Sequence, residues 1–160
     1  MTHARRPSNA PRGGFTLVEL LTAIVIMGML AALGLPKLHE TVEQARVAKA
    51  IGDIRAIQTD LMAFEAGDQP LPVSLAAIGR GGLLDPWGNP YVYNNFSLSK
   101  GKGVPKGARR DRFLVPLNTT FDLYSMGRDG ASIPPISNGK GADDIVRAND
   151  GGYVGLGRKY

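Results

Sequence analysis

Apolar side chains fill one long stretch near the start of the chain. Residues 15–35 read FTLVELLTAIVIMGMLAALGL and carry a single charged side chain, Glu19. At about 1.5 Å per residue, an α-helix of this length is roughly 30 Å long, which matches the hydrocarbon core of a bilayer. The pattern therefore predicts a transmembrane helix.

Beyond Pro36 the pattern becomes amphipathic. Apolar residues recur every three or four positions, which is the period of one helix face: Leu38, Val42, Ala45, Ala48, Ile51, Ile54, Ile57, Leu61 and Phe64. Gly67, Pro70 and Pro72 are typical stop signals for a helix. We expect residues 37–66 to form a helix whose apolar stripe packs on a small core.

Three residues could interrupt the apolar helix. Gly28 and Gly34 weaken it, and Pro36 lacks a backbone donor and clashes with the preceding turn. A kink or melted stretch between Gly28 and Pro36 is one interpretation. Simple tolerance is the other, because membrane helices often contain glycine and proline.

The second half of the chain is rich in turns. The whole chain has 21 glycines and 11 prolines, and most of them follow Gly67. We therefore expect short strands there, with a short helix over 73–78. Trp87 lies among turn residues, where an anchor against a small core is favoured over a carbohydrate or peptide platform. The pattern predicts an α+β chain in which a long helix packs on a small antiparallel sheet.

Charge orients the predicted membrane segment. The formal net charge is +5, and Arg5, Arg6 and Arg12 precede the apolar stretch. The remaining excess of basic residues is too small to indicate a nucleic-acid binder. Because basic flanks stay in the cytoplasm, we expect the bulk of the chain to be exported. A cleaved secretory signal is the alternative, but its apolar core is usually only about 7–15 residues long.

Glu19 is the informative residue of the apolar stretch. An ionised carboxylate is costly near hydrocarbon and usually marks a functional site or a paired charge. One interpretation places Glu19 at the membrane edge, where its carboxylate reaches the headgroups. The other interpretation requires a cationic partner.

The residues around Glu19 resemble a known processing motif. R-G-G-F-T-L-V-E-L-L at 12–21 is similar to the cleavage and methylation motif of type IV pilins and type II secretion pseudopilins. The resemblance implies that a prepilin peptidase cuts after Gly14 and N-methylates Phe15. The new amino group of Phe15 would pair with Glu19 of a neighbouring subunit, which makes both residues polymerisation residues.

Three carboxylates flank an irregular stretch in the second half. F-D-L-Y-S-M-G-R-D-G at 121–130 opens this stretch, and D-D-I at 143–145 closes it. Calcium binds six to eight oxygens, which a loop with Asp at both ends can supply. The spacing differs from the regular D-x-D-x-D-G calcium loop, so the residues alone favour solvated turn aspartates.

The same stretch is similar to the calcium loop of major pseudopilins, and D-P-W-G-N-P-Y at 85–91 is also similar to a stretch common among them. The resemblance implies calcium bound within 126–144 by the backbone carbonyl of Met126 and the carboxylates of Asp129, Asp143 and Asp144, with Ser132, Ser137 and Asn138 as weaker candidates. The chain has no cysteine, whereas many type IV pilins close this region with a disulfide. Calcium would then act as a structural staple, because its binding free energy adds to folding.

Residues 96–118 depart from the family pattern, which has a shorter connection here. The stretch carries six basic residues: Lys100, Lys102, Lys106, Arg109, Arg110 and Arg112. An exposed, flexible basic insertion without a specific partner is favoured over one that binds acidic partners or nucleic acid.

The resemblance implies a type IV pilin-like fold with four parts: a cleaved leader (1–14), a transmembrane and polymerisation helix (15–36), an amphipathic helix (37–66) and a periplasmic head (67–160). It implies a homopolymeric subunit of the inner-membrane-anchored pseudopilus of a type II secretion system, which exports folded proteins. Its expected partners are minor pseudopilins, prepilin peptidase and the inner-membrane assembly platform. A pilin of a surface type IV pilus is the alternative, and calcium dependence would separate the two.

An enzyme is disfavoured by the residues themselves. The chain offers no cysteine nucleophile, and its two histidines, His3 and His39, lie before or beside the membrane segment. Neither histidine is expected to reach the aspartates of the head for acid–base chemistry.

Overall fold

A computed structural model describes residues 14–67, 69–99, 103–137 and 139–160. The predicted leader, apart from Gly14, lies outside these residues, as does the weak ligand candidate Asn138. Contacts divide the chain into an N-terminal unit that ends at Thr41 and a C-terminal unit that begins at Val42.

One helix, α1, spans Leu17–Glu65. Its N-terminal part is long and apolar enough to cross a membrane, with a mean hydropathy of 2.3 over an 18-residue window that has no buried residue. The helix continues through Gly28, Gly34 and Pro36, so these residues are tolerated and no stretch of the helix is melted.

The C-terminal unit contains a four-stranded antiparallel sheet whose strands follow chain order: β1 (Val92–Asn95), β2 (Phe121–Ser125), β3 (Ile145–Ala148) and β4 (Tyr153–Leu156). In this register Tyr93 lies opposite Leu123, and Tyr124 lies opposite Val146. A short 3₁₀ helix at Leu75–Ile78 occupies most of the predicted 73–78 helix. The α+β prediction is confirmed.

The main core lies between the C-terminal part of α1 and the sheet. Ala50, Ile54, Ile57 and Leu61 are fully buried against strand residues such as Leu123. The predicted stripe is therefore confirmed for its C-terminal part. It is wrong nearer Pro36, where the predicted members Val42, Ala45 and Ala48 are exposed, because the rest of the core packs on the helix from Val47 onward.

The turn before β1 is fastened by Asp85. Its carboxylate accepts hydrogen bonds from the backbone N–H groups of Trp87 at 3.0 Å and Asn89 at 2.8 Å, and from the hydroxyl of Ser125 at 2.5 Å. Trp87 packs against the core, and its indole donates to Glu43 at 3.1 Å. The predicted anchoring role of Trp87 is confirmed.

Candidate functional site

The start of α1 holds the predicted polymerisation residue in a capping box. The hydroxyl of Thr16 accepts from the N–H of Glu19 at 3.2 Å, and the carboxylate of Glu19 accepts from the N–H and hydroxyl of Thr16, both at 2.8 Å. This exchange satisfies two donors that a helix start leaves open. Sequence reasoning missed it, although T-L-V-E at 16–19 matches the capping-box pattern.

The capping box fixes where the Glu19 carboxylate lies. Glu19 is exposed, and Phe15 beside the cap is 83% exposed. Leu17, Leu20 and Ile24 of the same helix are also more than half exposed. A carboxylate held in the first turn of an uncovered apolar helix is available to a cation from a second molecule.

The predicted calcium ligands separate into two groups. Asp129 and Asp143 meet at the turn after β2, where the N–H of Asp129 donates to the Asp143 carboxylate at 3.2 Å. The Asp129 carboxylate accepts from the N–H of Ala131 at 2.8 Å. Gly127 closes the turn in a left-handed conformation (φ 65°), and a Cβ there would overlap the Asp143 carbonyl oxygen.

Asp144 belongs to the second group. Its side chain is fully buried, and its Oδ2 accepts from the Arg109 guanidinium at 2.8 Å and from the hydroxyl of Ser132. Burial raises the pKa of Asp144 to about 6, although the Ser132 hydrogen bond and the Arg109 charge lower it. The adjacent guanidinium favours the ionised form of the carboxylate, and the two groups form an ion pair.

The remaining candidate ligands differ in their exposure. Met126 is half-buried and Ser137 is exposed. Ser132 lies beside Asp144, but its hydroxyl also accepts a hydrogen bond from Arg109. The position of Asn138 lies outside the described residues.

The position of Arg109 differs from the prediction for the basic insertion. Its side chain is 2% exposed, and its guanidinium carbon lies 3.5 Å from the centroid of the Tyr124 ring. The guanidinium also donates to the carbonyl of Ile133. The prediction of an exposed insertion is therefore wrong at Arg109, while Arg110 and Arg112 are exposed as expected. Lys100 and Lys102 lie outside the described residues.

Backbone hydrogen bonds hold this part of the insertion in place. The buried carboxylate of Asp122 on β2 accepts from the N–H of Arg109 at 2.6 Å. The N–H of Arg110 donates to Pro134 at 3.1 Å, and the N–H of Ile136 donates back to Arg110 at 3.1 Å. The insertion and the irregular loop thus form one hydrogen-bonded layer. Nothing in the sequence distinguishes Arg109 from the neighbouring arginines.

One of the four main predicted calcium ligands, Asp144, is already paired with a cation. Within the described ranges, no three acidic or histidine side chains are placed to hold a metal ion. The Arg109 guanidinium beside Asp144 would repel a divalent ion bound to the same carboxylate. Asp143 lines a small cleft with Arg128 and Arg158. The calcium site stays a prediction.

Two comparisons with known proteins give matches to this chain. Residues 9–35 match the prokaryotic N-terminal methylation motif. The type II secretion system core protein G of Pseudomonas aeruginosa is 32% identical over 140 residues, which cover 74% of this chain and 85% of that protein. The core protein G of Vibrio cholerae is 31% identical, covering 81% and 88%, and that of Klebsiella michiganensis is 36% identical, covering 73% and 84%. No solved structure gives a significant match.

Proposed function

Because the chain belongs to the family of type II secretion system core protein G, the major pseudopilins, we propose that it polymerises into the periplasmic pseudopilus that drives export of folded proteins across the outer membrane. The observation that carries this proposal is the extent of the similarity, which covers 85% of the Pseudomonas protein. The methylation motif alone, at residues 9–35, would fit a surface type IV pilin equally well.

We further propose how subunits join. Prepilin peptidase removes residues 1–14 and methylates Phe15, whose new amino group carries a positive charge. That charge pairs with Glu19 of a neighbouring subunit, so that both charges are neutralised in an apolar setting and the axial register is fixed. The exposed apolar side chains of α1 support this mechanism, because neighbouring helices or lipid must cover them.

The proposed membrane orientation follows from the N-terminal charges. Arg5, Arg6 and Arg12 precede the apolar segment, so we place the N-terminus in the cytoplasm, the helix in the inner membrane and the head in the periplasm. Minor pseudopilins and the inner-membrane assembly platform are the further partners of this proposal. The role is structural, and no catalytic residue is assigned.

Calcium binding is a separate question from subunit assembly. A ligand set of Met126, Asp129, Asp143 and Asp144 stays a prediction from the family resemblance. The polymerisation mechanism does not depend on it.

Mass analysis of the protein extracted from membranes tests the proposed processing. In a host with active prepilin peptidase, we expect a chain that begins at Phe15 with one added methyl group. A host without the peptidase serves as the control and should retain the leader before Phe15. A retained leader in the host with active peptidase would contradict the proposed maturation, and with it the intersubunit pair.

A further inference from the structure

One ion pair of the head is buried on both sides. Arg109 is 2% exposed, Asp144 is fully buried, and the guanidinium lies 2.8 Å from the carboxylate. The other ion pairs among the described residues each have at least one partner that is 25% exposed or more. Buried ionised groups of this kind are retained only when each finds an opposite charge and hydrogen bonds.

Arg109 connects three separate segments of the chain. Its side chain extends from the basic insertion. The guanidinium donates to the carbonyl of Ile133 and the hydroxyl of Ser132 in the loop, and to Asp144 directly before β3. Its guanidinium stacks on the ring of Tyr124 in β2. A planar group with five fixed donors can serve oxygens in several directions and an aromatic face at once.

These oxygens come from the loop in which calcium is predicted. Ser132 and Asp144 are both among the predicted ligands, and both already receive hydrogen bonds from the guanidinium. The positive charge that would draw the loop together is thus present in the chain itself.

We propose that the Arg109 guanidinium is the internal cation that fastens the irregular loop to the sheet, so that the head folds without calcium. The insertion delivers this cation, which gives the longer connection between β1 and β2 a structural purpose. The proposal goes beyond the filament role and does not depend on it.

The second carboxylate oxygen of Asp144 distinguishes a guanidinium partner from a metal partner. Asp144 Oδ1 is buried and has no hydrogen-bond partner within the described part of the chain, and the same holds for Arg109 Nε. Calcium could use Asp144 Oδ1, but it would lie near the guanidinium that occupies Oδ2. The two alternatives therefore predict opposite responses to calcium.

Thermal unfolding of the full chain in mild detergent separates these alternatives. Trp87 is the only tryptophan and contacts the core of the head, so its fluorescence reports on the head. We expect the same Tm with excess calcium and with EGTA. A Tm several degrees higher in calcium, abolished by Asp129→Ala, would overturn the proposal.

Four chains test the pair itself: wild type, Arg109→Gln, Asp144→Asn and the double variant. Breaking a buried ion pair on one side is expected to lower the Tm by roughly 6–20 °C. The double variant should lose much less than the sum of the two single losses, because no unpaired charge remains. Additive losses would contradict the proposal.

Arg112→Gln is the matched control, because Arg112 belongs to the same insertion but is exposed. Its Tm should stay within about 2 °C of wild type. If Arg109→Gln does not fold, the calcium test on the wild-type chain still decides the question. An Arg109→Gln chain as stable as the Arg112→Gln control would overturn the proposal.

Discussion

Two carboxylates, one in each unit of the chain, have opposite environments. Glu19 is exposed at the start of the apolar helix, and the described hydrogen bonds of its carboxylate reach only Thr16, three residues away. Asp144 is fully buried in the head, and its cationic partner Arg109 comes from the same chain, 35 residues away. Folding pairs the second carboxylate with a cation of the same chain and leaves the first one available.

The difference separates assembly from folding. A charge that is paired within the chain contributes to the stability of that chain, and removing its partner is strongly destabilising. A charge that is left at an apolar surface has little effect on folding, but it selects the molecule that can cover that surface. We therefore expect substitutions at Glu19 to change filaments and substitutions at Asp144 to change stability.

Glu19→Ala has the largest expected effect. We expect filaments to be lost, because the amino group of Phe15 would have no carboxylate to neutralise it in an apolar setting. Cleavage after Gly14 and the Tm of the head should match wild type. Electron microscopy of sheared filaments, with mass analysis of the N-terminus, checks both parts.

Glu40→Ala is the control for that variant. Glu40 is an exposed carboxylate on the same helix and pairs with Lys37 at 3.4 Å. An exposed pair of this kind contributes roughly 0–1 kcal/mol, so filaments should form at normal yield. Filaments of normal length from Glu19→Ala would refute the intersubunit pair.

Asp144→Ala is expected to have the next largest effect, on stability alone. It leaves the buried Arg109 guanidinium without its carboxylate, which should cost about 3–5 kcal/mol of unfolding free energy. Denaturant unfolding followed by Trp87 fluorescence measures this loss. Cleavage after Gly14 should be unchanged, because the proposed cleavage site belongs to the N-terminal unit.

Asp129→Ala sharpens the same contrast within the loop. Asp129 is exposed, and among the described residues its carboxylate accepts a hydrogen bond only from the N–H of nearby Ala131. We expect a change within about 0.5 kcal/mol, as for ordinary surface substitutions. A loss as large as that of Asp144→Ala would instead indicate that both carboxylates hold one calcium ion.

The two regions also differ in how far their sequences predict them. The apolar helix follows from a local pattern, since length, hydropathy and the single charge at Glu19 are all read along one segment. Even the capping box was readable from T-L-V-E at 16–19.

The head site depends on contacts that no local pattern records. Arg109 and Asp144 are 35 residues apart, and three arginines in 109–112 have the same chemistry. Which of them becomes buried is decided by backbone pairing, in which Asp122 accepts the N–H of Arg109. Burial of that position then requires a carboxylate, and Asp144 supplies it.

Thr16→Ala should have the smallest effect, and it separates the two roles of the first helical turn. The substitution removes the hydroxyl that caps the N–H of Glu19, which costs about 1 kcal/mol of helix stability. The Glu19 carboxylate and its charge remain. If Glu19 acts through a neighbouring subunit, filaments of the Thr16→Ala chain should form at near-normal yield, with only a small increase in fraying of the first turn by hydrogen exchange. Loss of filaments in both Thr16→Ala and Glu19→Ala would instead mean that the cap, and not the charge, is what assembly requires.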